Sequence, residues 1–219
     1  MTLRSAENRI HVAGPAGRIE VLQDAPADDG KWRGIALVAH PHPIGGGTNT
    51  NKVAHTLAKI LSGLGYIALR PNFRGVGETE GAHDEGNGET EDLLAVLQDA
   101  RRRFGNLPVA LAGFSFGAYC QTRVARHLSE QGQPAERLIL VGTAAGFVGE
   151  GRERRVYDTR PVPPDTIVIH GARDVTVPLA SVLAWAEPQE LPVIVVPGAD
   201  HFFHRRLHVI RAIVTRAWR

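Results

Sequence analysis

The chain has 219 residues, 43% of them hydrophobic and 22% charged, with a formal net charge of +2. These are ordinary globular values for a chain long enough to bury a sizeable core, and no basic run is long enough to make nucleic-acid binding its main task. The single cysteine, Cys120, excludes an internal disulfide and fits a reducing compartment; no apolar run approaches a membrane span, and Met1 to Ile10 lacks the apolar core of a secretion signal, so a cytoplasmic protein is expected.

Arg9 to Ala13 and Gly17 to Leu22 read as short strands joined by Gly14-Pro15-Ala16-Gly17, a hairpin, and Ala25 to Gly30 as a polar loop. Ile35 to Ala39 is a continuous apolar run of the kind found in a central parallel strand. Val53, Leu57, Ile60, Leu61 and Leu64 recur at helical spacing, and the helix ends near Gly65. Tyr66 to Leu69 is the next strand, followed by a glycine-rich acidic loop from Gly75 to Gly88. A helix then begins at Glu89 or Thr90 and carries Leu93, Leu94 and Leu97. Leu107 to Ala112 predicts a buried strand, Phe116 to about Leu128 a helix, and Leu138 to Val141 a strand. The connection from Ala144 to Asp165 is rich in arginine, with Arg152, Arg154, Arg155 and Arg160. Thr166 to Ile169 is a strand, Leu179 to Ala186 a short helix, Val193 to Val196 the last strand and Phe202 to Trp218 a closing helix. Strands alternating with helices argue for an α/β fold with a mostly parallel sheet. No repeat, low-complexity run or linker divides the chain, so residues 1–219 are expected to form one domain.

The most telling stretch is Gly113-Phe114-Ser115-Phe116-Gly117, at the junction of a strand and a helix. Gly-x-Ser-x-Gly in that setting is the pattern of a nucleophile elbow, a tight turn that pushes a serine hydroxyl out of the fold. Glycines flank the turn because side chains there would clash with the neighbouring strand and helix. The helix beyond aims its positive end at any negative charge forming nearby. A glycine-rich turn with a solvated serine gives the same pattern, so the partners downstream carry the assignment.

A serine hydroxyl needs an adjacent base, normally a histidine oriented by a carboxylate. Open α/β sheets place such groups just beyond the carboxyl ends of their strands. Asp174 lies in the loop leaving Thr166 to Ile169, where it reads either as that carboxylate or as a turn or cap residue near Pro178. His201 lies in the loop after the last strand. His204 and His208 are rivals by type, but both fall inside the predicted helix; Asp200 is a rival acid poorly placed to grip the distal nitrogen of its own neighbour. The order Ser115, Asp174, His201 is the one this architecture uses.

On these residues the chain resembles the α/β-hydrolase superfamily, through the elbow, the His170-Gly171-x-x-Asp174-x-x-Val177-Pro178 segment and the His201 loop. His40-Pro41-His42-Pro43 and Arg70-Pro71-Asn72-Phe73-Arg74-Gly75-Val76-Gly77 are similar to segments of its small, cap-poor members, the dienelactone-hydrolase-like or KANL3/Tex30-like group. The resemblance implies a mostly parallel central sheet with helices on both faces and no large cap. Dienelactone hydrolases use a cysteine where this elbow carries Ser115, so it implies a reaction type rather than that activity.

Acyl transfer builds negative charge on a carbonyl oxygen, which preorganised N–H donors stabilise. One donor is expected from the backbone of Phe116, the other from the loop after Ile35 to Ala39. Within Pro41 to Pro43 only His42 has a backbone N–H, and Gly45-Gly46-Gly47 is the alternative source. No metal is expected at His40 and His42, which lack a spaced partner motif. The expected enzyme is a serine hydrolase cleaving a small or polar acyl ester, without a cofactor, nucleic acid or membrane as partner. A serine peptidase or acyltransferase would use the same residues, and a non-catalytic binding protein would share the fold. The connection from Ala144 to Asp165 is too short and polar for a large apolar lid. Arg74 and Arg173 stand beside the expected site in sequence, where they either bind an acidic group or pair with nearby carboxylates.

Overall fold

A computed structural model describes residues 7–26, 32–149 and 155–218. Its strands in chain order are β1 (Glu7–Gly14), β2 (Gly17–Asp24), β3 (Gly34–Ala39), β4 (Tyr66–Pro71), β5 (Val109–Phe114), β6 (Arg137–Val141), β7 (Gly146–Val148), β8 (Arg155–Tyr157), β9 (Ile167–Gly171) and β10 (Val193–Val196). The helices are α1 (Lys52–Gly63), α2 (Asn87–Phe104), α3 (Phe116–Glu130), α4 (Leu179–Ala186) and α5 (Leu207–Ala217). Eight strands form one sheet in the order β1-β2-β4-β3-β5-β6-β9-β10. The β1–β2 hairpin joins antiparallel to β4, and every pairing from β4 to β10 is parallel.

The apolar runs of the central strands follow from this layering. Ile35, Leu37 and Ala39 of β3 face one core with Leu93 and Leu97 of α2 and Val124 and Leu128 of α3. Ala36 and Val38, pointing the other way, join Leu57 and Leu61 of α1 and Ile210 and Val214 of α5. Because both faces are covered, the strand has no polar alternation to show. Each fully buried Leu or Ile contributes roughly 1.5–3 kcal/mol to holding the helices against the sheet.

Several boundaries differ from the sequence-based expectation, each for a local reason. Helix α2 starts at Asn87, ahead of Glu89, because the Glu89 carboxylate turns back to accept the N–H groups of Gly86 (2.8 Å) and Asp84 (2.9 Å). Helix α5 starts at Leu207, five residues later than Phe202, because Phe203 (φ 53°) and Arg205 (φ 59°) have left-handed backbones that no α-helix accommodates. His204 therefore stands in a loop. Strand β9 runs on to Gly171 because the parallel ladder with β10 continues there, pairing His170 with Val195 and Gly171 with Val196. Strands β7 and β8 form a two-stranded ribbon inside the arginine-rich connection, too short to announce itself by periodicity. Arg152 and Arg154 lie outside the described residues. No helix among the described residues is long and apolar enough to cross a membrane.

One buried ionic group ties the loop after β3 to the sheet. Arg70 of β4, 1% exposed, pairs through Nε with Asp24 Oδ2 (2.9 Å) and donates to the Asn49 carbonyl (2.7 Å). Lys59 reaches the other oxygen of Asp24 at 2.6 Å. Asn49 also donates its N–H to the Asn72 side chain (2.8 Å), so the loop carrying His42 hangs from β4 at a fixed height.

Candidate active site

Ser115 sits between β5 and α3 with φ 56° and ψ −118°, a conformation that persists in a non-glycine residue only when its surroundings enforce it. Its N–H donates to Val141 O of β6 (2.9 Å), and its carbonyl accepts Ala118 N–H (3.0 Å) and Tyr119 N–H (3.2 Å). The flanking glycines leave room for that turn. A Cβ on Gly113 would lie 2.5 Å from Gly117 O, and one on Gly117 would lie 2.5 Å from Ala39 O and meet the His40 carbonyl as well. All these obstacles are backbone atoms, which cannot rotate aside.

The three loops expected to converge do so. His201 Nε2 is 3.0 Å from Ser115 Oγ, and His201 Nδ1 is 2.7 Å from Asp174 Oδ2. Asp174 Oδ1 accepts the N–H groups of Thr176 (3.0 Å) and Val177 (2.8 Å), which leaves Oδ2 for the imidazole. All three residues are buried among apolar neighbours, with the His201 ring packed between Phe114 (4.9 Å) and Phe202 (5.1 Å). The rivals are engaged elsewhere. Asp200 accepts from His204 through both its backbone N–H (3.0 Å) and its Nδ1 (2.6 Å), and His208 is exposed on α5.

The choice of a second N–H donor narrows in the loop after β3. Gly45 and Gly47 donate to His42 O (3.1 and 3.0 Å) and Gly46 to Pro43 O (3.0 Å), so the loop consumes all three glycine donors internally. The backbone N–H groups of His42 and Phe116 meet no acceptor among the described residues. The two residues are neighbours, with ring centroids 4.8 Å apart. Burial pushes the His42 imidazole down to about 4, with the Arg155 cation adding to the effect, so the ring is neutral near pH 7. Ile44 N–H lies 3.2 Å from its Nδ1 and Arg155 Nη1 2.6 Å from its Nε2; a neutral ring has one lone pair, so only one of these is accepted at a time.

His40 is a structural residue. Its fully buried ring donates from Nδ1 to Pro41 O (2.7 Å) and accepts Phe73 N–H at Nε2 (2.9 Å), which joins the β3 and β4 loops. Burial pushes it down to about 3, so it serves as a neutral link. Cys120 is buried in α3, and burial pushes its thiol up. Arg74 pairs through Nε with Asp92 Oδ2 (2.7 Å) and through Nη2 with Glu91 (3.5 Å), the carboxylate alternative of the two open to it. Arg173 is exposed and holds its loop through its backbone, donating to Ala199 O (2.9 Å). Among the described residues no group of three or more His, Cys, Asp or Glu side chains could hold a metal ion.

Three features escape a reading by strand and helix. Tyr157, on β8, packs edge-on against Phe116 (6.1 Å) and Tyr119 (5.1 Å), so the ribbon leans over the elbow. His83 packs on His42 (4.7 Å) and on Phe116 (5.3 Å) and bonds Glu89 through Nδ1 (2.8 Å). Its position in a loop beyond the carboxyl end of β4 was the available signal. A cleft of about 400 Å³ lies between the loop after β3 and the His201 loop, lined by Thr48, Lys52, Phe202, Arg205 and Leu207 among others.

Comparison with known proteins finds relatives in both sequence and fold. Residues 31–153 match the family model described as Serine aminopeptidase, S33. An uncharacterised protein of Rickettsia prowazekii is 32% identical over 212 residues, covering 89% of this chain and 82% of its own length. Lysophosphatidylserine lipase ABHD12 of Danio rerio is 33% identical over 132 residues, 58% of this chain, and the match spans about a third (33%) of the lipase. An alpha-beta serine hydrolase homologue from Coxiella burnetii superposes with a TM-score of 0.82 at 36% identity, over 99% of this chain and 97% of that one. A Xanthomonas campestris serine hydrolase described as lacking a lid gives 0.80 at 32%, over 99% and 94%.

Proposed function

Because the chain belongs to the family described as Serine aminopeptidase, S33, and has the α/β serine hydrolase fold, we propose that it cleaves small or polar carboxylic esters through an acyl-enzyme on Ser115. The observation that carries this reading is the unbroken hydrogen-bonded series from Ser115 Oγ through His201 to Asp174. Ser115 Oγ attacks the ester carbonyl as His201 Nε2 takes its proton. Asp174 orients the imidazole and offsets the positive charge it acquires. The N–H groups of Phe116 and His42 receive the oxyanion. As the intermediate collapses, Nε2 protonates the departing alkoxide and an alcohol leaves. Water then gives a proton to Nε2 and attacks the acyl carbon; collapse returns that proton to Ser115 Oγ and releases the acid.

Support for a small or polar substrate comes from what covers the site. The described part of the connection after β6 forms only the β7–β8 ribbon, where larger hydrolases carry a helical cap. The family description favours one second reading, a serine peptidase, on the same residues. Hydrolysis of p-nitrophenyl esters of graded acyl length, set against aminoacyl p-nitroanilides, separates the two. Ser115→Ala is expected to abolish both turnover and labelling by a fluorophosphonate probe; labelling at the wild-type rate in that variant overturns the assignment.

A further inference from the structure

Resting on the reading above, we infer that His170 is a positioning residue: its Nε2–H fixes the loop that presents Asp174 to His201. His170 lies on β9 with no exposed surface, four residues before Asp174. Its Nε2 is 3.0 Å from Val177 O and 3.5 Å from Asp174 Oδ2. The carbonyl can only accept, so Nε2 carries the proton and the ring is the Nε2–H tautomer. Burial lowers the proton affinity of the ring below the ordinary imidazole value, so it is neutral near pH 7.

Val177 is the point where two ties meet. Its N–H donates to Asp174 Oδ1 (2.8 Å) and its carbonyl accepts from His170 (3.0 Å). The turn from Asp174 to Val177 is thus pinned at its far end to a strand of the sheet, and the carboxylate it holds keeps Oδ2 turned to His201 Nδ1 (2.7 Å). Asp174 Oδ2 lies 3.5 Å from the same Nε2, a separation at which the ring N–H adds an electrostatic attraction rather than a second hydrogen bond. The bond to Val177 O carries a cost at the other ring nitrogen. His170 Nδ1 is buried with no partner among the described residues, an unsatisfied lone pair that an apolar side chain at this strand position would not leave. A local rule broken next to a reactive group is the signature of a residue kept for that group.

The test compares His170→Gln, which keeps an N–H donor able to reach Val177, with His170→Phe, which keeps the ring volume and loses the donor. His170→Asn is the second loss variant, too short to make the bond, should the phenylalanine variant fail to fold. We expect His170→Phe and His170→Asn to lower kcat on a p-nitrophenyl ester roughly 10- to 100-fold with KM little changed, the pattern of lost orientation. His170→Gln is expected to recover kcat to within about threefold of wild type. A downfield proton resonance of His201 Nδ1–H is expected in wild type and in His170→Gln, and is expected to move or broaden in the loss variants. If His170 acts through Asp174, the loss variant changes kcat no further in an Asp174→Ala background. Wild-type kcat and an unmoved His201 resonance in the folded loss variants overturn the inference, as does full additivity with Asp174→Ala. Those results leave the ester hydrolase reading intact; that reading falls if Ser115→Ala keeps its labelling or its activity, or if aminoacyl anilides are turned over and esters are not.

Discussion

Asp174→Asn isolates the orientation of the imidazole from the packing around it. The two N–H donors of Thr176 and Val177, at 3.0 and 2.8 Å, hold the remaining carbonyl oxygen of the amide in the place of Oδ1. The amide nitrogen is then forced into the place of Oδ2, 2.7 Å from His201 Nδ1. An NH2 group cannot accept there, so Nδ1 must present its lone pair and the ring proton moves to Nε2. Nε2, 3.0 Å from Ser115 Oγ, is then a donor and cannot take the hydroxyl proton. A tautomer reversed in this way lowers kcat about 10⁴-fold, or about 5 kcal/mol of transition-state stabilisation. The backbone bonds survive, so the melting temperature should change little and KM should stay near the wild-type value. Steady-state hydrolysis of a p-nitrophenyl ester and a thermal melt measure both. Asp200→Asn is the control and should leave kcat unchanged, because that carboxylate is occupied by His204 at 2.6 Å. A kcat for Asp174→Asn within tenfold of wild type, in a protein of normal stability, would refute this account of the site.

Acid stability should depend on His40. Its imidazole is held at about 3 in the fold against 6.5 in the unfolded chain, so below pH 6.5 the unfolded state binds a proton that the folded state refuses. Stability from this group is complete above pH 6.5 and is lost toward pH 3, at about 1.4 kcal/mol per pH unit. In urea titrations His40→Asn should therefore start less stable at pH 7.5 but lose about 2 kcal/mol less than wild type on going to pH 5; parallel losses would count against it. Arg74→Ala should act on stability and not on substrate. It leaves Asp92, whose side chain is 4% exposed, as an unpaired buried carboxylate, at a cost of about 3–5 kcal/mol. A raised KM with an unchanged melting temperature would return Arg74 to the binding site.

Much of this protein was legible in one dimension. The order of strands and helices followed from periodicity, because central strands covered on both faces leave uninterrupted apolar runs such as Ile35 to Ala39, while helices covered on one face leave apolar residues at intervals, as at Val53, Leu57 and Leu61. Ser115, Asp174 and His201 were legible as a set because each follows the carboxyl end of a strand, and parallel strands bring those ends to one edge. Tertiary structure decided what depends on contacts between distant segments. The start of α2 was set by Glu89 reaching back to Asp84 and Gly86, and the start of α5 by the left-handed backbones of Phe203 and Arg205. The loop after β3 spends the N–H groups of Gly45, Gly46 and Gly47 on itself and leaves that of His42 free, which composition does not reveal. Arg74 went to Asp92, and His170 went to Val177 beneath Asp174. Local sequence fixes backbone conformation and which face of an element is apolar; which of several chemically eligible donors, acceptors and charges is left over for chemistry is settled only once the others have found partners across the fold.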